Sequence, residues 1–183
     1  MRQTLVIHPD SHAGAVRGVA GSVARPEGQS SALTLEFVVA GDIAALRLPP
    51  KAEPARADEL WKRTCFEAFV RPANAEAYFE FNFSPSAQWA AYAFDAYRSG
   101  MRPVDNIAAP RISVRSEAKR FTLRVDLDAG LLPQDAPWRV GLCAIIEHAD
   151  GEKSYWALAH PPGAPDFHHR DGFMLERAEA ERT

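Results

Sequence analysis

The chain has 183 residues, 46% of them apolar and 25% charged, with a net charge of -3. This is the composition of a soluble globular domain; no apolar run approaches the roughly eighteen residues of a membrane helix, so membrane insertion is excluded. The near-balanced charge gives no broad basic field to gather phosphates, and nucleic acid is not an expected partner.

The N-terminal patch over residues 4 to 8 is too short for a signal-peptide core and is followed at once by Pro9 and Asp10. It reads as the first strand of a cytoplasmic protein. A weaker strand is expected over residues 16 to 24, closed by the turn residues Arg25, Pro26, Glu27 and Gly28. Leu33, Leu35, Phe37 and Val39 then alternate with their neighbours, and Gly41-Asp42 interrupts the run before residues 43 to 48 resume it, which predicts a hairpin. Pro49, Pro50 and Pro54 lack backbone donors and cannot continue a ladder, so this segment is a crossing loop. Residues 56 to 63 have room for one helical turn started by Asp58.

The strongest pattern follows. Residues 64 to 70 and 77 to 86 read as two central strands, and in the second Ala77, Phe79, Phe81 and Phe83 oppose Tyr78, Glu80, Asn82 and Ser84. Side chains in a strand alternate with period two, so one face is core and the other carries hydrogen-bonding groups. A third strand is expected over residues 88 to 95, with Trp89, Ala91 and Ala93 opposing Ala90, Tyr92 and Phe94. Residues 97 to 110 read as a long loop. Residues 112 to 116 and 121 to 127 predict a hairpin, residues 129 to 133 one helical turn, and residues 138 to 148 and 153 to 160 a second hairpin across Asp150-Gly151. Residues 173 to 175 predict a last short strand, and residues 176 to 183 a frayed charged tail. About ten short strands without a helix of normal length indicate a single all-β domain over residues 1 to 183, an antiparallel two-sheet β-sandwich.

The preceding strand can place Cys65, Glu67 and Phe69 beside the polar face of Glu80, with the register between the two strands left open by the sequence. Neighbouring carboxyls can perform acid–base work, because one charge raises the other group's pKa. They also serve as plain hydrogen-bond acceptors, the reading adopted here, and no catalytic residue is assigned. Trp61, Trp89, Tyr92 and Trp156 are rigid amphipathic rings suited to stacking on a pyranose, although for any one of the three tryptophans core packing is the favoured reading. With Tyr78, Asn82, Ser84 and His160 they complete the candidate ligand-binding set. Asp166, His168 and His169 together with His160 offer metal donors, but their spacing matches no zinc signature, and the segment reads as a prolyl loop pinned by Asp–His hydrogen bonds. No metal site is assigned. Cys65 and Cys143 lack C-x-x-C spacing and read as buried free thiols. Hydrolase-elbow, dinucleotide, Walker and zincin motifs are missing from the sequence.

The blocks Leu60-Trp61-Lys62-Arg63-Thr64-Cys65-Phe66-Glu67, Tyr78-Phe79-Glu80-Phe81-Asn82-Phe83-Ser84-Pro85-Ser86, Tyr155-Trp156-Ala157-Leu158-Ala159-His160-Pro161 and Pro165-Asp166-Phe167-His168 resemble the bacterial DOMON-like proteins, relatives of the family-nine carbohydrate-binding modules. The resemblance covers most of residues 56 to 175. It implies an immunoglobulin-like or jelly-roll-like sandwich that binds a sugar or a haem, generally without catalysis of its own, and carries Trp61, Glu67, Glu80, Ser84 and Pro85 over from the family pattern. Best-known relatives are exported or fused to catalytic domains, unlike the cytoplasmic, stand-alone chain expected here. Haem-binding relatives use an axial Met and His, for which Met101 with His160 or His168 is the available pair. The reading adopted is a non-catalytic module for a carbohydrate or sugar-like small molecule, with no required cofactor. A haem or metal protein and a carboxylate-pair glycoside hydrolase stand as alternatives, and the ligand's identity and the oligomeric state lie beyond the sequence.

Overall fold

The computed structural model describes residues 1–25, 32–128, 130, 132 and 137–177. The helical turn expected over residues 129 to 133 falls almost wholly outside them, as does the tail beyond residue 177. The strands are β1 (Gln3–Ile7), β2 (Val16–Ala24), β3 (Ala32–Gly41), β4 (Cys65–Pro72), β5 (Tyr78–Phe83) and β6 (Trp89–Phe94). They are followed by β7 (Arg102–Pro103), β8 (Arg111–Glu117), β9 (Arg120–Asp128), β10 (Trp138–Glu147), β11 (Lys153–Ala157) and β12 (Leu175–Arg177).

All named pairings are antiparallel, and the hydrogen-bonded path runs β7-β6-β5-β4-β10-β11-β1-β2-β3-β9-β8, with β12 also on β10. The division into two separate sheets expected from the sequence is replaced by one continuous, strongly curled sheet. Its joint is β1: Gln3, Thr4 and Leu5 pair with β2, while Val6 and Ile7 pair with β11. The curl brings distant strands together, since the Phe66 ring of β4 lies 5.3 Å from Phe37 of β3 and 5.8 Å from Phe121 of β9. Between them sits the main apolar interior, filled by inward residues such as Leu35, Phe81, Phe83, Leu123, Trp138 and Leu142. Truncating one of these phenylalanines to alanine costs about 3–5 kcal/mol through lost burial and the cavity left behind.

Three local expectations change. Residues 43 to 48 do not return along β3, because β2 and β9 occupy both of its edges. Instead Ile43–Ala45 forms a short 3-10 turn that buries Ile43. The single turn predicted over residues 56 to 63 is present at Leu60–Lys62, but its N-cap is Glu59 in the left-handed region at φ 59. Asp58 does not cap it; its carboxylate accepts a hydrogen bond from the Tyr92 hydroxyl at 2.6 Å. Within the expected loop over residues 97 to 110, Arg102 and Pro103 add a two-residue strand to β6.

Candidate functional site

Tyr78, Glu80 and Asn82 of β5 point away from the main interior, and the register shows what lies beside them. Phe69 is opposite Glu80 and Glu67 opposite Asn82 on β4, while Cys143 of β10 stands on the far side of Glu67. On β6, Tyr92 is opposite Glu80. Glu67 and Glu80 are therefore diagonal neighbours on one sheet face. This face is not bathed in solvent: Phe69, Tyr78, Tyr92, Phe94, Cys143 and Ala157 form a second apolar cluster with Phe173, against which Leu60, Trp61 and Phe167 pack. The covering pieces are the 3-10 turn at Leu60–Lys62 and the irregular segment after β11. Glu67 and Glu80 are consequently only 3% and 5% exposed.

The cover does not close completely. A cavity of about 380 Å³ remains, floored by Glu67, Glu80 and Ile145 and walled by Trp61, Phe94, Tyr155, Pro165 and Phe167. His168, Arg98 and Met101 complete the lining. An aromatic chamber of this size with a few convergent polar groups has the make-up of a small-molecule site.

The polar groups form an ordered chain. The Arg98 backbone N–H donates to Tyr78 Oη at 3.2 Å, and Tyr78 Oη lies 2.7 Å from His168 Nδ1. Burial and the Arg98 charge push the His168 imidazole down to about 4, against the opposing pull of Asp166. At neutral pH it is therefore uncharged, and its Nε2 faces Glu80 Oε2 at 3.7 Å. Glu80 Oε1 accepts from Asn82 Nδ2 at 2.7 Å. Among the described residues Glu67 Oε1 and Asn82 Oδ1 are buried without a partner.

Burial, reinforced by the charge of Glu80, raises the Glu67 carboxyl well above the usual carboxylate range, against the lowering effect of a hydrogen bond from Cys65. Burial also raises Glu80, with Asn82 and Arg98 opposing. Cys65 and Cys143 are buried free thiols, raised by burial first and by Glu67 next. At the rim, Arg98 pairs with Asp166 Oδ1 at 2.8 Å, and Tyr97 Oη donates to the other carboxylate oxygen.

Of the residues singled out from the sequence, the structure brings Trp61, Glu67 and Glu80 into the lining. Tyr78 stands behind His168, Asn82 supports Glu80, and Tyr92 packs under Trp61 with ring centroids 6.0 Å apart. Ser84 is buried in the turn after β5, accepting from Ser86 Oγ at 2.8 Å. Trp89 and Trp156 point into the main interior instead, each 5% exposed, and Trp156 Nε1 donates to Ser154 Oγ. Ring size could not tell these tryptophans from Trp61; strand parity places them on the core face. His160 also lies away from the cavity, bonded through Nε2 to the Val6 carbonyl at 3.0 Å.

Tyr155 and Ile145 were legible in principle, because they pair across β10 and β11 on the same face as Cys65. Arg98, Phe167 and His168 come from irregular segments without a period to read.

The four metal-donor candidates do not gather on one point. His160 bonds Val6, His168 bonds Tyr78, His169 lies 3.5 Å from Asp171, and Asp166 holds Arg98 and accepts from the His168 N–H. Among the described residues no group of three or more His, Cys, Asp or Glu side chains is placed to hold a metal ion. Met101 and His168, the pair named for a haem, both border the cavity, and His168 Nε2 faces Glu80 Oε2 at 3.7 Å.

No family model matches the chain, and no curated protein matches it in sequence. Its structure is similar to the crystal structure of a proposed carbohydrate-binding protein from Bacteroides uniformis, with a TM-score of 0.67 over 95% of this chain and 84% of that one. The identity is 13%. The likeness is one of fold.

Proposed function

We propose that the protein is a non-catalytic binding module of DOMON-like type, its curled sheet a variant of the two-sheet sandwich, that holds a carbohydrate or sugar-like molecule in the cavity over β4, β5 and β10. The observation that carries the reading is a pair of buried carboxyls, one with an unpartnered oxygen, at the floor of an aromatic chamber of about 380 Å³. Carboxyl oxygens take hydroxyl hydrogen bonds while Trp61 or Phe167 covers the apolar side of a ring. The fold shared with a proposed carbohydrate-binding protein adds support of a general kind.

Glycoside hydrolysis is disfavoured by the placement of the pair. Glycosidases flank the scissile bond with their two carboxyls, whereas Glu67 and Glu80 sit side by side on one sheet face and meet a ligand from the same side. Calorimetry of the full chain against a panel of glycans and sugar nucleotides tests the proposal. A binder is expected whose affinity falls by about ten-fold or more in Glu80→Ala. A folded protein that gives no heat with any member of the panel overturns it.

A further inference from the structure

The floor of the cavity is rich in hydrogen-bond acceptors and poor in donors. Among the described residues Glu67 Oε1 has no partner, and Glu80 Oε2 faces His168 Nε2 at 3.7 Å, beyond hydrogen-bond length. Charge is unbalanced in the same direction. Arg98 is the permanent cation among the lining residues, and Asp166 at the rim already holds it at 2.8 Å. Buried acids without a cation are costly, and a ligand that brings one relieves the cost. The walls point the same way, since Trp61, Phe94, Tyr155 and Phe167 offer aromatic rings to a positive charge.

Taking the cavity as the ligand site, we infer that its ligand carries a primary ammonium group, as in an amino sugar or a cyclic amine of similar size, seated on Glu67 and Glu80. An ammonium donates three hydrogen bonds and accepts none, which matches a floor of free acceptors better than a hydroxyl does. In the free protein burial and the neighbouring Glu80 charge hold the Glu67 carboxyl well above the usual carboxylate range. An ammonium beside it favours the carboxylate, so binding pulls that pKa down and drives any proton on Glu67 to solvent.

Calorimetry with two matched pairs, glucosamine with glucose and cyclohexylamine with cyclohexanol, tests this in buffers of different ionisation enthalpy. At least one amine is expected to bind tighter than its hydroxyl counterpart by about ten-fold or more. At a pH where free Glu67 is protonated, proton release is expected with the amine and none with the alcohol. Glu67→Gln should abolish the proton release and narrow the preference, while circular dichroism confirms that it is folded. Equal binding of both members of each pair, tighter binding of the hydroxyl members, or binding of neither amine overturns the inference. The outcomes separate it from the carbohydrate reading. Glucose binding as tightly as glucosamine keeps the sugar site and removes the ammonium, whereas cyclohexylamine binding with no sugar bound does the reverse.

Discussion

Tyr78 and His168 are 90 positions apart in sequence, yet Tyr78 Oη lies 2.7 Å from His168 Nδ1. That contact fastens the segment after β11 to the central sheet and aims the far edge of the imidazole at Glu80. The Tyr78 ring is itself held by Phe94, stacked at 4.7 Å and 4°.

Tyr78→Phe keeps this stack and removes only the hydroxyl. It leaves His168 Nδ1 and the Arg98 N–H without their partner and should cost about 1–3 kcal/mol. Chemical denaturation measures the loss, and hydrogen exchange should show the Arg98 amide exchanging faster. An unchanged exchange rate would mean that the hydroxyl does not order this segment.

His168 should give stability a definite acid dependence. Its folded-state pKa is pushed down from 6.5 to about 4, so between those values the unfolded chain binds the proton and the folded one does not. Its contribution is complete above the unfolded value and is lost as the pH falls through the window, by at most about 3 kcal/mol. Urea titrations across that range should show the slope in the wild type and a flatter profile in His168→Asn. Parallel profiles would contradict the assignment of a neutral, buried imidazole.

Glu67 works with the opposite sign. Its carboxyl is raised above 4.5, so the folded state retains a proton that the unfolded chain gives up. Stability is greatest below the unfolded value and declines as the pH rises through the folded one. Glu67→Gln removes this decline, and its stability relative to wild type should grow from mildly acid to mildly alkaline pH. A constant difference across that interval would show that Glu67 titrates normally.

The tryptophans separate binding from folding. Trp61→Ala, at the cavity wall, should weaken ligand binding by about ten-fold and change stability by about 1 kcal/mol. Trp156→Ala, in the main interior, should lower stability by about 3–5 kcal/mol. Thermal unfolding and calorimetry on both variants check this division, and comparable stability losses in the two would contradict it.

The face of β5 was readable because alternation is a property of the strand alone. Tyr78, Glu80 and Asn82 share a side whatever their neighbours do. The hairpins β8–β9 and β10–β11 were equally legible, since their turns are local in sequence. Strand β10 shows where pattern reading stops: residues 140 to 147 are buried on both faces, so apolarity does not alternate and neither side is marked as core. Trp89 and Trp156 lie in the main interior, the core reading favoured for any one tryptophan; apolar character marked their burial without saying which ring would line the cavity.

By itself, the sequence determined an all-β antiparallel protein and the polar face of β5 that carries Glu80, since strand period and turn chemistry act over a few residues; the register that sets Glu67 diagonally beside it is tertiary. Only the tertiary structure decided that β1 joins β2 to β11 in one curled sheet, pairing Ile7 with Trp156. It alone also decided that residues from 158 to 173 fold over that face and turn an exposed polar strip into a chamber. Such contacts join parts of the chain far apart in sequence, and packing and loop closure select them where local propensity has no preference. Alternation put Glu80 on the polar face and allowed Glu67 beside it; their burial, the raised Glu67 carboxyl and the chamber above them all come from the cover.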